Sequence, residues 1–200
     1  EFYVDENSDI PYDSLYRPKG YFGSNHAQMI FNLNNDQIYG PYKDDGYMKL
    51  SRMLEKKKNG NVRASHILIS YKGSQNAAPS VERSKNDAKI EANRLLRLAR
   101  MNPDNFSSLA LEYSDGPSSS SGGDLGFFQE GMMVKPFNDY VFKNTVGRIG
   151  VVETEFGFHV IKVVAKEDLA KVATIALKNI PSNFTSDSVF NITSKFEIEL

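Results

Sequence analysis

The sequence predicts an α+β fold in which helices pack over an antiparallel sheet. Two apolar runs of strand type, residues 62–70 and 158–165, each carry one histidine among branched side chains. Between them lie three stretches of helical period separated by short loops. A third observation ties these together. In residues 114–137 a run of serines leads into Gly122-Gly123-Asp124-Leu125-Gly126, then Phe127-Phe128, Met132-Met133 and Lys135-Pro136-Phe137. Such a stretch crosses a surface and then enters an apolar pocket, with Pro136 placed to open a helix.

Taken in order, residues 1–28 are rich in Tyr, Asp, Asn and Pro with little periodicity, and read as irregular structure around Pro11 and Pro18. Met29-Ile30-Phe31 looks like a helix end, Gly40-Pro41 a turn, and residues 46–50 an alternating strand. Asn59-Gly60 is a strong turn signal. The strand that follows places Val62, Ala64, His66 and Leu68 on one face and Ile67 and Ile69 on the other. Ala88, Ala92, Leu95 and Ala99 recur at helical spacing, so residues 82–101 form an amphipathic helix that Asn102-Pro103 ends. Phe106, Leu109, Ala110 and Tyr113 mark a second helix, and residues 125–128 a brief strand. Residues 136–142 form a third helix, and residues 150–153 and 158–165 the closing strands. A β-prone piece at 171–175, a turn at Pro181 and a polar segment ending in Phe196 complete the chain.

The helix, turn and strand order of residues 29–50 recurs at a nearly constant offset in residues 141–161, so the first part reads either as an appended segment or as a degenerate repeat. In the repeat reading Met48 stands where His159 does and Asp44 where Thr154 does.

Composition narrows the function. With 40% hydrophobic residues the 200-residue chain can bury a substantial core. A net charge of -1 supplies no basic face for nucleic acid, and Lys56-Lys57-Lys58 reads as a solvated element end. No apolar run approaches the roughly 20 residues that span a bilayer, and no signal peptide is visible. The chain begins at Glu1 rather than Met, which reads as a piece of a longer or processed protein. Without cysteine there is no thiolate nucleophile, and His66, His159 and His26 make too small a donor set for a metal centre. Read on spacing alone, Phe127, Phe128, Met132 and Met133 are ordinary core and each histidine a satisfied strand residue.

Several motifs agree in order: Ser65-His66-Ile67-Leu68, Tyr113-Ser114, the Gly122–Gly126 stretch, Lys135-Pro136-Phe137, Val152-Glu153-Thr154 and Phe156-Gly157-Phe158-His159. Together they resemble the parvulin family of peptidyl-prolyl cis-trans isomerases, over residues 61–166. The resemblance implies a four-stranded antiparallel sheet covered by helices, with 1–60 and 167–200 as appended segments. It implies that His66 and His159 pair beside Thr154, and that Leu125, Met133 and Phe137, with Phe128 and Phe156 beside them, form the apolar pocket for the substrate proline. Family members usually carry Cys or Asp where this chain has Gly116, so the resemblance leaves Asp115 to turn in as the polar group facing the amide, or leaves that group absent. Prolyl rotation breaks no bond, its barrier of about 18–20 kcal/mol being amide resonance, so no cofactor and no metal are expected.

Relatives that demand phosphorylated Ser or Thr before proline use a basic cluster after the first strand. Here residues 70–76 offer one lysine, Lys72, which implies no phosphate requirement. The appended segments resemble the periplasmic folding factors of the SurA and PpiD type. That implies a periplasmic chaperone, partnered by unfolded or nascent proline-containing polypeptides and not by nucleic acid, with room for a membrane anchor on the full-length protein. The alternative is a catalytically weak parvulin domain serving as a peptide-binding module.

Overall fold

The computed structural model describes residues 2–178, 191–192 and 194–196; the turn expected at Pro181 lies outside them. The chain divides into two compact units, one made of residues 1–58 and 168–200, the other continuous from Asn59 to Glu167.

In the first unit, helix α1 (Phe2–Asn7), strand β1 (Arg17–Pro18), helix α2 (Ala27–Asn32) and strand β2 (Ile38–Asp44) precede the start of strand β3 (Tyr47–Ile69). Residues 168–177 join them as the end of a later strand, with Ala170 opposite Arg17. Tyr3 and Val4 pack with Ala173, Ile175 and Phe196, and Ile30 and Met53 with Ala170 and Val172. Three expectations fail here. Residues 1–28, read as irregular, contain α1 and β1. Gly40-Pro41 is not a turn but sits inside β2, where the register with β3 shifts between Tyr39 and Tyr42. Asn59-Gly60 likewise lies within β3, with Asn59 at φ 52°. Long-range pairing carries the strand through both sites, and at Gly40-Pro41 the register shift absorbs the local chemistry that would otherwise make a turn.

In the second unit β3 continues to Ile69 and is followed by helices α3 (Lys85–Met101) and α4 (Phe106–Tyr113). Strand β4 (Asp124–Gln129), helix α5 (Lys135–Lys143), strand β5 (Ile149–Thr154) and strand β6 (Gly157–Leu177) complete it. The strands are ordered β4-β3-β6-β5, and the β3/β4 and β5/β6 pairs are antiparallel. Ser84 caps α3 by accepting from the Asp87 N–H while the Asp87 carboxylate returns the contact, a capping box. Alternation along β3 and β6 sends Ile67, Ile69, Phe158 and Val160 to one face, under Ala88, Ala92 and Leu95 of α3 and Phe106, Leu109 and Ala110 of α4. The other face carries Val62, Ala64, Ile161 and Val163, with Phe137 and Val141 of α5 and Phe128 of β4 against them. His66 and His159 belong to that second face.

Candidate active site

The segment from Ser114 to Gly123 is laced along β3. The Ser114 hydroxyl accepts from the Leu68 N–H at 3.0 Å, and the Asp115 N–H donates to the Leu68 carbonyl at 2.8 Å. At the other end the His66 N–H donates to the Gly123 carbonyl at 2.9 Å. Gly123 has φ 79°, and a Cβ there would lie 2.2 Å from the His66 carbonyl oxygen. This is why the chain needs glycine at that position: the loop presses against the strand that holds the histidine.

His66 and His159 stand side by side across β3 and β6, their rings nearly parallel at 5.2 Å between centroids. Their Nδ1 atoms share a proton at 3.0 Å. The chain of hydrogen bonds extends both ways, from His159 Nε2 to Thr154 Oγ1 at 2.7 Å and from His66 Nε2 to Ser118 Oγ at 3.0 Å. Thr154 Oγ1 also accepts from the Phe156 N–H at 3.1 Å. One proton per imidazole satisfies every link, whichever way the chain runs. Burial holds both rings neutral, lowering His66 to about 4, and His159 to about 3 with the neighbouring His66 adding to the effect.

Phe137 closes the floor. Its ring meets both imidazoles edge-to-face, at 5.7 Å from His66 and 5.6 Å from His159. Leu125, Met133 and Val152 are half-buried around it, leaving apolar surface beside the polar chain. A surface of this kind grips an apolar ring beside a fixed polar chain in which the hydroxyl that accepts from its histidine, Ser118 or Thr154 according to direction, keeps its own proton to donate to a neighbouring carbonyl.

Residues 48–167, more than half of the chain, match the PPIC-type peptidyl-prolyl isomerase (PPIASE) domain. The chain belongs to the parvulin family. Among its relatives, the foldase protein PrsA of Geobacillus kaustophilus is 40% identical over 108 residues, covering 53% of this chain and 32% of that protein. The peptidyl-prolyl cis-trans isomerase Pin1 of Digitalis lanata is 37% identical over 110 residues, covering 50% of this chain and 93% of that one. A solved structure of the peptidyl-prolyl isomerase ESS1 from Candida albicans superimposes with a TM-score of 0.51 at 30% identity, over 55% of this chain and 65% of its own. The chain thus spans about a third of the PrsA-type relatives it matches.

Within this parvulin fold the residues singled out from sequence divide. His66, His159 and Thr154 form one hydrogen-bonded chain, Phe137 meets both imidazoles edge-to-face, and Leu125 and Met133 pack against the apolar cluster that contains Phe137. Asp115 does not turn in. Its carboxylate accepts from the Ser70 N–H and hydroxyl at 2.8 and 2.7 Å and pairs with Arg83 at 3.2 Å, which ties the loop to the end of β3. Phe128 is as buried as Phe137, but its ring contacts among the described residues are to Phe137 and Phe142 rather than to the imidazoles, so it supports the floor rather than lining it. Phe156 sits in the β5–β6 turn, joined to the site through its backbone contact with Thr154.

Ser118 is the member that sequence reasoning missed. It lies in a short 3-10 turn, residues 117–121, opened by Pro117 after Gly116. Four serines follow that proline, and nothing local distinguishes the one aimed at His66. Ser118→Ala removes one neutral hydrogen bond, on the order of 1 kcal/mol, and frees the His66 Nε2 end of the chain. The expected result is an unchanged fold, a changed tautomer signature of both imidazoles in 15N spectra, and a several-fold lower kcat on an Ala-Pro peptide. Unaltered imidazole signals would show that Ser118 does not orient His66.

Proposed function

We propose that the second unit catalyses cis-trans rotation of X-Pro bonds without metal, cofactor or covalent intermediate, and without needing a phosphorylated residue before proline. The observation carrying this reading is the Ser118–His66–His159–Thr154 chain set against the apolar surface of Leu125, Met133 and Phe137. In the twisted amide the nitrogen regains its lone pair and the carbonyl loses resonance charge. Holding the prolyl ring on Phe137 and Met133 while the neighbouring polar groups accept that redistribution favours the twisted state over either planar one. In this reading His66, His159 and Thr154 position and polarise, and Leu125, Met133 and Phe137 bind the ring.

Two features of charge favour an unphosphorylated substrate. Lys72, the lysine of the loop after β3, is ion-paired to Glu82 at 2.7 Å, and Arg83 is committed to Asp115. A doubly charged group needs several free donors. Matched Ser-Pro and phosphoSer-Pro peptides are expected to isomerise at similar rates; a strong preference for the phosphorylated peptide would refute this part.

Gly116 gives weight to a second reading, a peptide-binding module with slow turnover. Its backbone, at φ -81° and ψ 155°, accepts any residue, and a Cβ there would sit 3.6 Å from His66 Cε1 and 3.3 Å from Leu68 Cβ. The position therefore faces the site, yet offers no polar side chain. A protease-coupled or exchange-NMR assay on an Ala-Pro peptide, comparing the parent with Gly116→Asp and Phe137→Ala, separates the readings. A measurable parent rate that Phe137→Ala abolishes marks an isomerase with a reduced site. A silent parent that Gly116→Asp awakens marks a binding module.

For cellular role we infer a folding factor of the cell envelope, periplasmic in setting, acting on unfolded or nascent proline-containing chains. Residues 1–60 and 167–200 would serve as its chaperone frame. The similarity to a protein named as a foldase supports this. Fractionation placing the full-length protein in the cytoplasm would overturn it.

A further inference from the structure

The second unit contains six arginines, and they fall into two groups. Arg63, Arg83 and Arg94 are ion-paired, to Asp124, Asp115 and Glu91. Arg97, Arg100 and Arg148 have no carboxylate within ion-pair distance among the described residues, and neither does Lys162. All four belong to one end of the unit, the last turns of α3 and the β5/β6 rung at Ile149 and Lys162.

Part of this has a plain cause: cations near the last turn complement the negative end of a helix. That accounts for Arg97 and Arg100 but not for Arg148, which lies in the turn before β5. Nor does it account for the cavity of about 240 Å³ that Arg100 and Arg148 line together with Pro103, Gly147 and Ile149. Arg100 is fixed there, its Nε and Nη2 donating to the Ile149 carbonyl at 3.1 and 2.8 Å, which leaves Nη1 for another acceptor. Asp104, next to Pro103, forms no ion pair with any of them. Behind the wall lies the buried Tyr140 hydroxyl, within reach of the Arg148 side chain and acted on electrostatically by both Arg148 and Arg100.

We propose that the cavity between Arg100 and Arg148 is a binding site for a phosphate group, separate from the isomerase site. Two arginines lining one cavity carry more charge than a single carboxylate neutralises and match a doubly charged tetrahedral oxyanion, whose several oxygens take forked donors. Ile149 and Thr154 stand at opposite ends of β5, about 16 Å apart at ~3.3 Å per residue, so an occupant here does not touch the histidine pair.

The test uses the full chain, 15N-labelled, titrated with inorganic phosphate and in parallel with a phosphoserine peptide lacking proline. Sodium chloride of equal ionic strength is the control. The expected result is saturable shifts at the amides of Gly147, Arg148, Ile149 and Gly150 with phosphate and none of that pattern with chloride. The phosphate carrier that binds more tightly names the source. Arg100→Gln and Arg148→Gln should each weaken binding roughly tenfold or more, as losing a charge-assisted contact does. Arg94→Gln should leave it unchanged. Unaltered Ile67 and Val160 amide signals confirm that each variant is folded. The same shifts with chloride, shifts centred on Lys72–Gln75, or affinity indifferent to both substitutions would each overturn the proposal.

Discussion

Between pH 6.5 and about 4 the parvulin unit is expected to lose much of its folding stability. Burial depresses both His66 and His159 well below the value of 6.5 that an exposed imidazole shows. In the unfolded chain both rings take up a proton as pH falls through 6.5, whereas in the folded unit both stay neutral. The unfolded state thus binds more protons across this window, and stability rises with pH there and falls with acid. Each histidine contributes up to about 1.4 kcal/mol per pH unit, so the pair contributes nearly 3. Over two units that approaches the lower part of the usual 5–15 kcal/mol range for a whole domain. Urea unfolding of the full chain, followed by the NMR amides of Ile67 and Val160 at pH 7, 6, 5 and 4.5, measures it. A His159→Asn variant should show about half the slope. A denaturation midpoint that stays flat from pH 7 to 4.5 would rule out a neutral buried pair.

Gly123→Ala is expected to be strongly damaging, costing about 3–5 kcal/mol. Two penalties combine. The backbone at φ 79° disfavours any L side chain, and the new Cβ would meet the His66 carbonyl oxygen at 2.2 Å and the Ala110 Cβ at 3.0 Å. Neither neighbour is the loose end of a long side chain, so β3 or α4 has to move. Gly131 makes the comparison clean: its φ is 87° and nothing lies within 4 Å of a Cβ there. Gly131→Ala should therefore cost only the conformational penalty, about 1 kcal/mol. The difference between the two unfolding free energies isolates the contact with the histidine strand, and equal values would refute it.

The histidine strands and the three helices were legible because each is specified by short-range period: apolar alternation around His66 and His159, and the i, i+4, i+7 row of Ala88, Ala92 and Leu95. The apolar partners of the histidines were legible through motif resemblance rather than through chemistry, since Leu125 and Met133 look like core anywhere. What stayed hidden depended on contacts distant in sequence. Helix α1 is short, and Tyr3 and Val4 are buried only because Ala173, Ile175 and Phe196 meet them. Asp115 looked catalytic from its place beside Gly116, yet two donors on Ser70 and a cation on Arg83 claim its carboxylate first. Ser118 could not be chosen among four serines until the turn at Pro117 was known to aim it.

The two units differ in how the chain supplies them. Asn59–Glu167 is unbroken, and its ends are joined by the Asn61 side-chain amide donating to Glu167 at 2.6 Å. The other unit is split, its early residues waiting on 168–177 for Ala170, Val172, Ala173 and Ile175. On a ribosome adding roughly 5–20 residues per second, the parvulin unit is complete before those arrive. Val4, Ile30 and Met53 stay without those partners for roughly 6–34 s at that rate. During synthesis, then, the split unit is itself an unfinished polypeptide with exposed apolar side chains, the same kind of substrate that the protein is proposed to attend.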